Sequence, residues 1–102
     1  MIEIKTDFES TREARVSVSG QLDMDSSDEL RKILRDAAER DFQRLTVDLS
    51  GVDFIDSSGV ATLVDALQSM NEKGGQLKLV NVNDNVRNVF EIANLLEVFE
   101  LD

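Results

Sequence analysis

The chain has 102 residues, 41% of them hydrophobic, and carries 21 acidic against 11 basic side chains for a net charge of -10. That size suits one compact domain burying somewhat over ~60% of its unfolded surface, and the charge opposes approach to a polyphosphate backbone or an anionic lipid surface, so neither nucleic-acid binding nor membrane insertion is expected. With no Cys and no His, no disulfide, thiolate nucleophile, Ser-His-Asp or Cys-His set can be assembled and a zinc site would need carboxylates alone; no enzyme activity, metal or cofactor is expected.

Ile2, Ile4, Thr6 and Phe8, then Ala14, Val16 and Val18, alternate with period two around the polar stretch 9–13 and predict an antiparallel hairpin. The alternation of Met1 to Phe8 is not a signal-peptide core, and no apolar run approaches the roughly eighteen residues that span a bilayer, so a cytoplasmic protein is expected. Gly20 closes the second strand, and the cluster Asp23 to Asp28 offers N-caps for a helix whose Leu30, Ile33, Leu34, Ala37 and Ala38 share one face. Leu45, Val47 and Leu49 alternate as a strand after Asp41, and Val52, Phe54 and Ile55 carry apolar material on to Asp56-Ser57-Ser58-Gly59, where a strand hands over to a helix. That helix turns Val60, Leu63, Val64, Leu67 and Met70 inward and stops at Gly74-Gly75. Gln76 to Val82 reads as a short strand, and Asn83 or Asp84 caps a third helix with Val86, Val89 and Phe90 on one side. After Leu95 and Leu96, the segment with Val98, Phe99 and Leu101 is open between strand and irregular structure.

Two consecutive strand-helix-strand units imply parallel pairing with right-handed crossovers, and the initial hairpin makes the sheet mixed. The expectation is one α/β domain over residues 1–102, a mixed sheet of four to five strands packed against helices. With no Pro, repeat, linker or low-complexity stretch, nothing points to a second domain.

Function concentrates in the run Asp48 to Val64, which places two hydroxyls at a helix start. Unpaired N-H groups and the dipole there stabilise an exposed phosphate by about 0.3 to 1 kcal/mol, so Ser57 or Ser58 can bear a phosphoryl group. Ser, Asp and Gly are equally what any helix start prefers, and periodicity does not separate a phosphate site from a plain cap. Met24, between two Asp residues, becomes a contact candidate if exposed, whereas Phe54, Phe90 and Phe99 are read as core.

The Asp56-Ser57-Ser58-Gly59 turn, Gly20-Gln21-Leu22-Asp23 at the end of the second strand and the Gly74-Gly75 stop together resemble the STAS domain of anti-sigma-factor antagonists over essentially the whole chain. The resemblance implies that Ser57 is the phosphorylation site, with Ser58 a lesser acceptor, and that Asp23, Asp56, Ser57, Ser58 and Gly59 lie at the partner-binding surface. It further implies that the unphosphorylated form binds an anti-sigma factor that is itself a GHKL-type serine kinase, that phosphorylation breaks this complex, and that a PP2C-type phosphatase restores the serine. ATP and magnesium then belong to the partner. Many relatives have a second Gly two residues after Gly59, where Ala61 stands here.

Three other readings compete. STAS domains also serve as small subunits of lipid-transporting ABC complexes, where the partner is the cytoplasmic ATPase, and Asn83-Asp84-Asn85-Val86 is similar to that group. A phosphoacceptor receiver domain would use Asp48 at a strand end, but it needs an acidic pair after the first strand and five strand-helix units, which this chain lacks. Asp48, Asp53 and Asp56 as an acid-base or metal cluster have no His, Lys or phosphate loop converging with them in sequence.

Overall fold

The computed structural model describes residues 2–40, 42–92 and 100–101, the last pair by backbone alone. The hairpin expected at the start forms: β1 (Ile2–Phe8) runs antiparallel to β2 (Glu13–Leu22), in a register from Ile2 opposite Gly20 to Phe8 opposite Ala14. Its turn is held by Ser10, whose hydroxyl oxygen accepts from the backbone N-H groups of Arg12 and Glu13, both at 3.1 Å.

The chain then alternates α1 (Ser27–Glu39), β3 (Arg44–Ile55), α2 (Ser57–Glu72), β4 (Gln76–Val80), α3 (Asp84–Ile92) and β5 (Glu100–Leu101). Strands β2 to β5 pair in parallel, and the sheet order is β1-β2-β3-β4-β5. The sheet is therefore mixed, with five strands, within a single domain. Alternate residues of the central strands, Val16, Val18, Leu45, Val47, Leu77 and Leu79, enter one core with Leu30 and Leu34 of α1, Leu63 and Met70 of α2, and Val86 and Phe90 of α3. Burying each Leu or Phe side chain contributes about 1.5–3 kcal/mol, which is why the apolar stripe outweighs local propensity in fixing each helix face. Among the described residues, no helix is long and apolar enough to cross a membrane.

Two details depart from the expectations. Phe54 is not core: it is 50% exposed, while Val52 and Ile55 are buried. The pairing of β3 with β2 shifts twice, between Ser17 and Ser19 and between Gly20 and Gln21, so that Asp53 has no partner and Phe54 lies opposite the exposed Gln21. Each inserted residue reverses the in-out alternation, and the second shift turns Phe54 away from the core. Strand β4 ends at Val80 instead of Val82 because Asn81 takes a left-handed conformation, φ 58°. Gly74, φ 79°, ends α2 as anticipated. Leu95, Leu96, Val98 and Phe99 lie outside the described residues.

Candidate functional site at the carboxyl ends of β2 and β3

In an open α/β sheet the turns beyond the carboxyl ends of parallel strands form a natural site. Here the β2-α1 and β3-α2 turns meet there. Asp56 joins them: its N-H donates to the Leu22 carbonyl at 3.1 Å, and its carboxylate serves both turns at once. One oxygen accepts from the N-H groups of Ser58 at 2.8 Å and Gly59 at 3.1 Å, capping α2, and the other accepts from the Met24 N-H at 3.2 Å. Asp23 organises its own turn in the same way, one carboxylate oxygen accepting from the N-H groups of Asp25 at 3.0 Å and Ser26 at 3.2 Å just before α1. Ser26, buried, donates its hydroxyl to the Gln21 carbonyl at 2.7 Å.

Ser57 is the first residue of α2, exposed, and its hydroxyl makes no hydrogen bond among the described residues. Ser58 is half-buried, and its carbonyl accepts from the Thr62 hydroxyl at 2.9 Å. Arg31 of α1 donates to that same Thr62 hydroxyl at 3.3 Å and lies 3.5 Å from Asp65, so the first turns of α2 are braced from α1. Gly59 is buried, and a Cβ there would stand 2.7 Å from Ile55 Cγ1 and 2.8 Å from the Leu22 carbonyl oxygen. Its lack of a side chain lets α2 close onto β2 and β3. Asp23 and Asp56 are half-buried while Asp25 and Asp53 are exposed, and Met24 is 75% exposed. Ala61 follows Ser57 by one helical turn, and both line an apolar groove of about 560 Å³ with Val60, Val64, Val89 and Ile92.

The remaining candidates fall elsewhere. Asp48 lies inside β3, not at a strand end, and faces the side of the sheet away from the helices, where the Arg15 guanidinium donates to it at 2.8 Å. Burial raises its pKa, but hydrogen bonds from the Ser50 backbone, the Arg15 side chain, and the Ser50 and Asn81 side chains outweigh burial and hold it down at about 2. Asp48, Asp53 and Asp56 do not form a metal-holding group among the described residues. Asn83 caps α3 through the Val86 N-H at 2.9 Å and donates its amide to the Val52 carbonyl at 2.6 Å, which gives the Asn83-Asp84-Asn85-Val86 run a structural job. Sequence reasoning missed the link from Met24 to Asp56, the Arg31-Thr62 brace and the second role of Asn83, all of which join residues more than thirty apart.

Comparison with known proteins agrees with this fold. The Anti-sigma F factor antagonist of Paenibacillus polymyxa is 28% identical over 87 residues, covering 84% of this chain and 74% of that protein. The Anti-sigma-B factor antagonist of Staphylococcus aureus is 28% identical over 87 residues, covering 85% of this chain and 81% of its own. The anti-sigma factor antagonist SpoIIAA superposes in its unphosphorylated form with a TM-score of 0.84 at 20% identity, covering 98% of this chain and 88% of that one. Its phosphorylated form superposes with a TM-score of 0.78 at 18% identity, covering 98% and 91%. The STAS domain family model matches residues 6–102, and with the turn at Ser57 built as described, the chain belongs to the STAS domain family.

Proposed function

We propose that this protein is an anti-sigma-factor antagonist, a non-enzymatic partner switch controlled by phosphorylation of Ser57. The observation that carries the reading is the state of the Ser57 hydroxyl: exposed and without a hydrogen bond, it stands at the start of a helix whose cap is supplied by its neighbour Asp56. Ser58 is half-buried, which favours Ser57 as acceptor. On this reading the unphosphorylated protein binds an anti-sigma factor of the GHKL-type serine kinase class and frees the sigma factor. Kinase action on Ser57 ends the complex, and a PP2C-type phosphatase renews it. Asp23, Asp56, Ser57 and Ser58 line the docking face, and Gly59 supports it from beneath.

A phosphoserine adds roughly 1.5 to 2 negative charges at neutral pH to a turn already bearing Asp23, Asp25, Asp53 and Asp56. Desolvating that charge against a partner costs several kcal/mol, and each ~1.4 kcal/mol is a tenfold loss of affinity. A hundredfold change thus needs no refolding. The test is incubation with each GHKL-type serine kinase of the source organism and ATP-Mg, then mass spectrometry and binding measurements on wild type, Ser57→Ala and Ser57→Asp. One phosphate on Ser57 and weakened binding of the phosphorylated form are expected. An unmodified Ser57, or Ser57→Asp binding as tightly as wild type, overturns the reading, and co-purification with a transporter ATPase would move the function to the ABC-complex alternative.

A further inference from the structure

Among the described residues, four large hydrophobic side chains are exposed: Phe8, Met24, Phe54 and Ile92. Phe8 is accounted for within the domain, since its ring stacks on Phe42 at 5.4 Å and the Arg40 guanidinium lies over it at 4.9 Å. Ile92 extends the apolar groove beside α2. Met24 and Phe54 differ from both. Met24, 75% exposed, sits in the β2-α1 turn with its backbone fastened to the Asp56 carboxylate, and Phe54, 50% exposed, lies two residues before Asp56.

Single apolar residues on a surface are ordinary. These two flank the Ser57 turn from separate elements, and Phe54 is there because the β3 register shift that leaves Asp53 unpaired turns it outward. Such a bulge re-aims a side chain at the expense of ladder pairing. Around them stand Asp23, Asp25, Asp53 and Asp56, and the ion pairs among the described residues, Arg15-Asp48, Arg31-Asp28, Arg31-Asp65 and Arg44-Glu13, reach none of these four. Apolar side chains beside Asp25 and Asp53, exposed carboxylates that enter none of these ion pairs, match a protein surface with apolar sockets rimmed by Lys and Arg. An aromatic ring and a flexible thioether are side chains enriched in interface cores.

We infer that Met24 and Phe54 are the apolar anchors by which the unphosphorylated protein docks its kinase-type partner, with the surrounding carboxylates supplying orientation through basic groups on that partner. The inference rests on the proposed function. Its test compares wild type, Met24→Ser, Phe54→Ser and the control Phe8→Ser by calorimetric titration against each purified GHKL-type serine kinase of the source organism. ADP-Mg is used so that Ser57 stays unmodified, and each variant is melted separately to verify folding. Phe8 pairs with Ala14 at the far end of β2, so its variant should bind like wild type. Truncating either anchor is expected to weaken binding roughly 30-fold, the size of an interface hot spot. If wild type binds and both anchor variants, folded, bind within twofold of it, this inference alone falls. If wild type itself does not bind, the proposed function and the inference fall together.

Discussion

Replacing Asp56 with Ala removes one carboxylate that serves three backbone donors, at 2.8 Å to Ser58, 3.1 Å to Gly59 and 3.2 Å to Met24. The Met24 N-H is exposed and water replaces its partner at little cost, so the energy lies in the two part-buried donors at the start of α2. Loss of an Asp cap typically costs about 0.5–2 kcal/mol, and the partial burial here places the expectation near 1.5 kcal/mol. For a domain of this size that corresponds to a fall in Tm of roughly 4–8 °C per kcal/mol. Urea unfolding at pH 7 measures it directly, with an unchanged slope indicating that native-state stability alone has moved. Asp56→Asn keeps an oxygen for the cap and loses the charge, and is expected to stay within about 0.5 kcal/mol of wild type. A fall of less than about 0.3 kcal/mol for Asp56→Ala, or equal losses for both variants, would refute the assignment of Asp56 as the cap that fixes this turn.

Gly59→Ala sets two effects against each other: Ala gains about 1 kcal/mol of helix propensity, but its Cβ would meet the Leu22 carbonyl oxygen at 2.8 Å and Ile55 Cγ1 at 2.7 Å. Overpacking of about 1–3 kcal/mol should prevail, and a variant more stable than wild type in urea would contradict the close approach of α2. Asn83→Ala removes the α3 cap and leaves the Val52 carbonyl without its 2.6 Å donor, for an expected loss of about 1–2 kcal/mol by the same unfolding assay. Asp48, with its folded pKa held near 2, below the ordinary carboxylate value of 3.8, stabilises the fold fully above the unfolded value and loses that contribution as pH falls through the folded value. Because Arg15 is a third exposed, solvent screening leaves about 1–2 kcal/mol; Asp48→Asn should flatten the stability profile between pH 4 and pH 2, and an unaltered slope would remove Asp48 from the acid response.

The helices and the central strands were legible because burial imposes a period. Leu30, Leu34 and Ala37 can share a core only as a helix, and Leu45, Val47 and Leu49 only as a strand. Ser57 was legible as a helix start from Asp56 and Gly59 around it. Phe54 was misread because two register shifts within one strand break the period on which its assignment depended. A trace was present in Gly51, where a Cβ would stand 2.4 Å from Ser19 Cβ, since an isolated Gly inside a strand marks a bulge or close backbone approach. The Met24 link to Asp56 left no such trace. Its donor is a backbone N-H, available from any non-Pro residue at that position, and only the tertiary approach of two turns brings the Asp56 carboxylate to it.

The placement of Ser57 separates what holds the fold from what is exposed to change. The carboxylate that caps α2 belongs to Asp56, points toward Ser58 and Gly59, and also holds the Met24 turn, while the neighbouring hydroxyl holds nothing. Had the cap been Ser57 itself, a phosphoryl group would have had to replace a structural hydrogen bond, and modification would have altered stability as well as binding. With the two roles on adjacent residues, a phosphate at Ser57 on the proposed reading adds charge beside a carboxylate that remains engaged with its donors. Its bulk and the cost of desolvating its charge act outward, on whatever packs against Asp23, Asp53 and the Met24 turn, and the helix dipole offsets part of the cost within the domain. A switch built this way reads out in partner affinity, because the hydroxyl takes part in none of the hydrogen bonds that hold the turn.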